Sequence, residues 1–224
     1  MPKKNPSQIT ATALFEHWMC PHWQYFEYHA DPKNKRKRSR FAEMLLDAGV
    51  INEREIIGKM QLQPVKGKTT KERIAATKER MAEGVDMIYH GVLEDGDLIG
   101  EPDLLEKRLG KTSKLGAYYY VPIDIKSAEH MSDGHKYQLA LYAELLASNQ
   151  GLRPEEAYII NGYGVTMGFN IDDFRPKLLA AIDEVRQARA GNPLPPFVSS
   201  GCKQSPWFDE CLNLAKKSND IALL

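Results

Sequence analysis

Residues 114–127 read KLGAYYYVPIDIKS, and this run of aromatic and β-branched residues is typical of a β-strand. Alternate side chains of a strand share a face, so Asp124 and Lys126 are predicted to project together. The preceding segment, 98–108, has strand composition and carries Asp103. If these two strands pair, both carboxylates reach one divalent cation.

The segments on either side of this strand predict a mixed α/β core. Strands are predicted at 85–93, 98–108, 114–127 and 155–165, with a hairpin turn at 94–97. Helices are predicted at 9–30 with a break at Pro21, at 39–48 and 51–60 on either side of Gly49, at 69–83, at 134–151, and from Asn170 or Asp172 to about Ala190. We expect a single domain spanning 1–224, with its central sheet at 85–165.

Composition narrows the class of protein. The 224 residues are 42% hydrophobic and 27% charged, which argues against a collagen or a disordered chain. No apolar run approaches the ~20 residues of a transmembrane helix, and the opening residues lack the apolar stretch of a secretory signal. Thirty basic and thirty acidic residues cancel, and three cysteines cannot all pair. A cytoplasmic protein without membrane partners is expected.

The pair of acids and the lysine indicate chemistry at a phosphate. Hard carboxylate oxygens suit Mg²⁺ or Mn²⁺. A cation there polarises a phosphate and acidifies water, while Lys126 orients that water or neutralises developing charge. Spacing alone also fits a solvated strand face, because Asp31-Pro32-Lys33 has the same spacing in a predicted turn. Gln138 and Tyr142 follow at i and i+4 on one helix face.

These motifs form a series that resembles the motifs of RecB-type nucleases, which belong to the PD-(D/E)XK superfamily. The series runs Gly100-x-x-Asp103, then Asp124-x-Lys126, then Gln138 and Tyr142. The opening ITATALFEHWMCP and the phrase PIDIKSA are especially similar to CRISPR-associated nucleases of the Cas-four type. The resemblance extends from Thr10 to the end of the chain.

The resemblance implies a restriction-endonuclease-like core, a mixed central sheet flanked by helices. It also implies that Asp103, Asp124 and the carbonyl of Ile125 bind metal and that Lys126 is catalytic. Gln138 and Tyr142 would support the site or contact nucleic acid. The implied activity is a Mg²⁺- or Mn²⁺-dependent deoxyribonuclease, commonly a 5′ to 3′ exonuclease on single-stranded DNA or DNA ends. Its implied setting is DNA repair or CRISPR spacer acquisition, with DNA and CRISPR integration proteins as partners.

One position departs from the family pattern. The family places a histidine, often followed by glutamate, on a helix ahead of the strands, and Asn52 stands there in this chain. Glu53 follows it and would still offer an oxygen, directly or through water. His90 is the competing ligand, although we predict it on the first strand, where a histidine is more often packed and hydrogen-bonded.

The cysteines form a second point of resemblance. The family has one early cysteine before a proline and three late ones spaced C-x2-C-x5-C, which hold a [4Fe–4S] cluster. Cys20, Cys202 and Cys211 match, but Ser205 replaces the fourth ligand. The implied cluster would join the segments 10–30 and 200–215. The alternatives are a serine-ligated or three-iron cluster, a ligand from elsewhere such as His22, a zinc site, or three free cysteines.

The densest basic run offers phosphate contacts. It spans 33–40, and the residues predicted to bind nucleic acid are Lys35, Arg36, Lys37 and Arg38. A solvated loop is the alternative.

For the whole chain, an inactive nuclease-fold protein that binds DNA or acts as a scaffold is the alternative to the nuclease, because Asn52 and Ser205 depart from the family pattern. A third alternative, an iron–sulfur redox protein, would not explain the series Asp103, Asp124, Lys126 and Gln138.

Overall fold

The computed structural model describes residues 8–37, 39–195 and 198–218. The α-helices in these ranges are α1 Ala11–Met19, α2 Trp23–His29, α3 Arg40–Met60, α4 Thr70–Ala82, α5 Asp133–Gln150, α6 Arg175–Arg189 and α7 Phe208–Lys217. Short 3₁₀ helices lie at Pro32–Asn34 and Gly201–Gln204. None of the helices in the described ranges combines the length and the apolar character needed to cross a bilayer.

The strands form two sheets. They are β1 Ile9–Thr10, β2 Met87–Tyr89, β3 Leu93–Asp95, β4 Leu98–Gly100, β5 Leu104–Ser113, β6 Gly116–Ile125, β7 Glu156–Ile160 and β8 Thr166–Asn170. The larger sheet has the order β2-β5-β6-β7-β8, in which β6 and β7 are parallel and the other pairs antiparallel. The smaller sheet has the order β1-β4-β3. An α/β fold with mixed sheets flanked by helices, as predicted, is confirmed.

Helix α5 connects the two parallel strands β6 and β7, since parallel neighbours need a crossover. Ser132 and His135 form a reciprocal capping box at its start, and Gly151 ends it in the left-handed region at φ 71°. Leu139, Leu141 and five further apolar side chains of this helix are buried in the main core. The helix therefore holds a fixed position against the sheet that carries Asp124.

Helix α3 corrects the prediction of two helices separated at Gly49. It is one continuous 21-residue helix, which Ser39 caps at its start. A single interior glycine costs only about 1 kcal/mol relative to alanine, which is too little to end a long helix. Continuity places Glu53 well inside the helix. Its outer surface carries exposed apolar side chains, namely Met44, Leu45, Leu46, Val50 and Ile51.

Two predicted strands are each broken in the structure. The prediction for 85–93 ends at Tyr89, because His90 takes a left-handed backbone conformation with φ 53° before β3 begins. The prediction for 98–108 divides into β4 and β5, which belong to different sheets. The predicted turn at 94–97 is confirmed, since β3 and β4 pair antiparallel across it.

The C-terminal half contains two further corrections. The predicted strand 155–165 ends at Ile160, where the Asn161 side chain accepts hydrogen bonds from the backbone of Tyr163 and Val165 and forms a turn. Strand β8, which follows, was not predicted. Helix α6 begins at Arg175 without a side-chain cap, because Asn170 instead accepts a hydrogen bond from the backbone of Asp172 in the preceding loop.

Candidate functional site

Asp103 and Asp124 lie side by side at one end of the β5–β6 pair. Asp103 directly precedes β5, and the register pairs Leu104 with Ile123. The Asp103 backbone N–H donates to Asp124 Oδ1 at 3.3 Å, and the Ile125 N–H donates to Asp103 Oδ2 at 2.6 Å. The pairing of the two strands, predicted from sequence, is confirmed, and it brings the two carboxylates to one point.

Lys126 follows β6 and faces the same acids. Its Nζ lies 2.8 Å from Asp124 Oδ2, and its backbone N–H donates to the Ile160 carbonyl of β7. Asp124 is 1% exposed, and apart from the ion pair no hydrogen bond from a described residue reaches its Oδ2. Burial lowers the pKa of Lys126, but the charges of Asp124 and Asp103 outweigh it and raise the pKa overall. The lysine is therefore held as a cation.

His90 completes a group of three potential metal-binding residues, Glu53, His90 and Asp103. Its Nε2 lies 2.9 Å from Glu53 Oε1 and 4.0 Å from Asp103 Oδ1. One ligand atom from each of these three residues lies within 4.8 Å of the others. His90 was predicted on the first strand; it instead follows β2, where its left-handed backbone turns the ring toward the acids. Its backbone N–H donates to the Asp103 carbonyl at 2.9 Å.

Glu53 reaches the site from α3. Its Oε1 accepts hydrogen bonds from the Tyr89 hydroxyl and from His90, each at 2.9 Å. The hydrogen bond to His90 is the main cause that lowers the pKa of Glu53. Asn52 stands where the family that the motifs resemble has a histidine, and its buried Nδ2 has no hydrogen-bond partner among the described residues.

The charges at this site favour a cation. Burial and the neighbouring Asp124 raise the pKa of Asp103, because two close carboxylates in a poorly solvated place resist ionisation together. Burial lowers the pKa of His90, but Glu53, Glu101 and Asp103 outweigh it and raise the pKa overall. A divalent cation would relieve the repulsion between the acids. The donor set of Glu53, His90 and Asp103 fits such an ion.

Tyr142 lies close to the acids on α5. Burial, followed by the charges of Asp124 and Asp103, raises its pKa well above the ordinary value. Gln138 is half-buried one turn earlier on the same helix. Gly100, at the end of β4, packs on the tyrosine ring so closely that a Cβ atom there would lie 2.6 Å from Tyr142 Cδ1.

Replacing Gly100 with alanine is therefore expected to lower the free energy of unfolding by about 1–3 kcal/mol, because the buried ring has little room to move. Urea unfolding measures the change. Gly49→Ala is the matched control, since nothing lies within 4 Å of a Cβ atom there, and it is expected to gain about 0.5–1 kcal/mol. Equal stability of Gly100→Ala and wild type would contradict the packing of β4 on α5.

The three cysteines meet in a second, separate cluster. Cys20 ends α1, Cys202 lies in a 3₁₀ helix and Cys211 lies in α7, and all three are buried. Cys20 Sγ lies 3.3 Å from Cys211 Sγ, which is far longer than a disulfide bond. Phe26 and Trp207 pack around them. The predicted proximity of the segments 10–30 and 200–215 is thus present in the structure.

This arrangement does not fit a [4Fe–4S] cluster. Thiolates bound to different irons are kept apart by the inorganic core, whereas the sulfurs of Cys20 and Cys211 are in contact. The Ser205 hydroxyl accepts a hydrogen bond from the Trp207 backbone N–H at 3.1 Å and helps to begin α7. His22, the alternative ligand, hydrogen-bonds through Nε2 to the Leu194 carbonyl at 3.0 Å. The three cysteines therefore pack the N-terminal and C-terminal segments against each other.

Two residues of the basic run are engaged within the protein. Lys35 pairs with Glu27 at 2.6 Å, and Arg36 pairs with Asp209 of α7. Both pairs are partly exposed, and the Arg36–Asp209 pair joins the N-terminal segment to α7. Lys37 is exposed, and Arg38 lies outside the described residues. Binding of DNA by this run stays a prediction, in which phosphates would compete with two carboxylates.

Sequence reasoning missed three residues around His90. Tyr89 and Glu101 contact or face the imidazole, and Arg73 of α4 reaches both Glu101 and the His90 carbonyl. Glu101 sits inside the Gly100-x-x-Asp103 motif, which was the available signal. Arg73 is 17 residues from His90, and no local pattern links them.

Comparison with known proteins gives no family assignment. No protein-family model matches the chain, and a search of curated proteins found no match. Function is therefore inferred from the geometry of the site and from the sequence motifs.

Proposed function

We propose that this chain is a metal-dependent deoxyribonuclease that hydrolyses phosphodiester bonds at Asp103, Asp124 and Lys126. The observation that carries the proposal is the contact of two carboxylates from paired strands with a lysine 2.8 Å from one of them. The sheet order and the motif series support a restriction-endonuclease-like core of the RecB type. No family match supports it independently.

The proposed cation site consists of Glu53, His90 and Asp103, with the carboxylate of Asp124 as a further proposed ligand. Mg²⁺ binds almost wholly through oxygen, so the imidazole favours Mn²⁺ of the two ions. When bound, the ion supplies Lewis-acid polarisation of a phosphate oxygen and acidification of water. The carbonyl of Ile125, at the end of β6, stays a further proposed ligand.

Lys126 acts as an electrostatic group in this proposal. Its raised pKa keeps the ammonium charged, so it stabilises negative charge that develops on the phosphate instead of accepting a proton. Asp124 holds the ammonium in place through the ion pair. On the α5 side, Tyr142 and Gln138 are proposed to support the site or to contact nucleic acid.

The substrate and setting follow from the motif resemblance. They are single-stranded DNA or DNA ends, exonucleolytic cleavage, and a role in DNA repair or CRISPR spacer acquisition beside integration proteins, in the cytoplasm. Lys35, Arg36 and Lys37 are proposed phosphate contacts, with binding that weakens steeply as salt increases.

The test is incubation of purified protein with end-labelled single-stranded and double-stranded DNA. We expect cleavage with Mn²⁺, loss of cleavage in excess chelator, and recovery when Mn²⁺ exceeds the chelator. Cleavage that persists in chelator would point to a contaminating or metal-independent activity. Intact DNA at every concentration of Mn²⁺ and Mg²⁺ would reject the nuclease.

The second candidate is a catalytically inactive nuclease-fold protein that binds DNA or serves as a scaffold. Asn52 favours it, because this residue stands on α3 where the family that the motifs resemble has a histidine. The same titration separates the two candidates, since this one requires a shift of labelled DNA in a gel without any shortened product.

A further inference from the structure

We propose that Arg73 and Glu101 are positioning residues that hold His90 for the cation site. This inference rests on the proposed function and adds to it two residues that the motif series does not contain. Arg73 fixes the strained backbone of His90, and Glu101 faces the ring nitrogen on the side away from the acids. Together they would present His90 Nε2 toward Glu53 and Asp103.

The backbone of His90 needs outside support. Its φ of 53° lies in the left-handed region, which non-glycine residues rarely adopt, and such conformations persist where neighbouring contacts determine them. Both polar backbone groups of His90 are held. Its N–H donates to the Asp103 carbonyl at 2.9 Å, and its carbonyl accepts from Arg73 Nη2 at 3.0 Å.

Arg73 is suited to this role because it forms a fork. Its Nη1 donates to Glu101 Oε2 at 2.9 Å, and its Nη2 contacts Glu101 Oε1 as well as the His90 carbonyl. One turn later on α4, the Thr77 hydroxyl accepts from the Val92 N–H at 2.8 Å. Helix α4 thus holds the segment 90–92 by hydrogen bonds at two points, the His90 carbonyl and the Val92 N–H.

Glu101 supplies the carboxylate that a metal-binding histidine commonly uses. Glu101 Oε1 lies 3.8 Å from His90 Nδ1, while Nε2 is hydrogen-bonded to Glu53. A cation held at Nε2 would take the place of the Nε2 proton, which would pass to solvent, and the remaining ring hydrogen would lie on Nδ1. That N–H then faces Glu101, and such partners fix the tautomer and the ring orientation of the ligand.

The test measures Mn²⁺ affinity by calorimetry, in the absence of DNA. Arg73→Lys keeps the charge but loses the fork, and Glu101→Leu loses the acceptor. Each is expected to weaken Mn²⁺ binding roughly 10- to 100-fold. Glu101→Gln retains an acceptor oxygen and should recover most of the affinity. Arg80→Lys, on the same helix and remote from His90, is the matched control and should leave the affinity unchanged.

A spectroscopic readout separates positioning from general stability. In protein with ¹⁵N-labelled histidine and Zn²⁺, a diamagnetic ion that binds imidazole nitrogen, His90 is expected as the Nδ1–H tautomer in wild type and Glu101→Gln, and as a mixture in Glu101→Leu. Wild-type affinity and an unchanged tautomer in Arg73→Lys and Glu101→Leu would overturn this inference alone. Wild-type protein that binds no Mn²⁺ would overturn the proposed function and this inference with it.

Discussion

Asp124→Asn is expected to reduce Mn²⁺-dependent DNA cleavage by roughly 10³-fold. The substitution keeps the shape of the side chain but removes the charge that holds Lys126 and faces the cation. Asp124 is buried, so water cannot replace the lost oxygen ligand. Cleavage of end-labelled DNA and calorimetric Mn²⁺ binding should therefore be lost together.

The matched control is Asp173→Asn, because Asp173 is an exposed aspartate in the loop before α6. It should cleave like wild type. Far-UV circular dichroism checks that Asp124→Asn remains folded. A folded Asp124→Asn variant with wild-type activity would exclude Asp124 from the active site, and with it the paired-carboxylate mechanism.

The proximity of Asp103 and Asp124 was predictable because both residues belong to consecutive segments with strand composition. The run from Gly116 to Ile125 has the aromatic and β-branched composition of a strand, and the short turn before it returns the chain along β5. Pairing of consecutive strands then brings Asp103 and Asp124 together with no long-range information. Lys126 was expected beside Asp124 because side chains two residues apart in a strand share a face.

The cation site was not predictable to the same degree, because it depends on contacts between distant segments. Glu53 and His90 are 37 residues apart, and their hydrogen bond depends on how α3 packs beside β2. A sequence gives the cost of Gly49 within α3 but not the packing that offsets it. The left-handed conformation of His90 has no signal either, since Met87–Tyr89 and Leu93–Asp95 have the composition of one strand.

For the cysteines, the sequence indicated which segments meet but not what the side chains do there. The family resemblance implied that the segments 10–30 and 200–215 meet, and Cys20 and Cys211 do meet across 191 residues. Spacing could not tell a ligand set from a packed core, which depends on the separation of the sulfurs and on the partner of Ser205. Both are properties of the folded chain.

Lys126→Met is expected to separate catalysis from metal binding. Cleavage should fall roughly 10²- to 10³-fold, because the charge that stabilises the phosphate is gone. Mn²⁺ binding should persist or tighten, because the ammonium 2.8 Å from Asp124 Oδ2 no longer competes for that oxygen. Asp124→Asn, by contrast, loses both properties.

The same variant makes a prediction about stability. Without metal, Asp103 and Asp124 lose their compensating cation, and breaking such a buried pair costs about 3 kcal/mol, the lower end of the usual range, because the Lys126 side chain is 23% exposed. Mn²⁺ at 100 times its dissociation constant returns about 2.7 kcal/mol by mass action. Thermal unfolding with and without Mn²⁺ measures both changes, and Lys126→Arg controls for charge. A Lys126→Met variant that Mn²⁺ does not stabilise would show that these carboxylates do not share an ion.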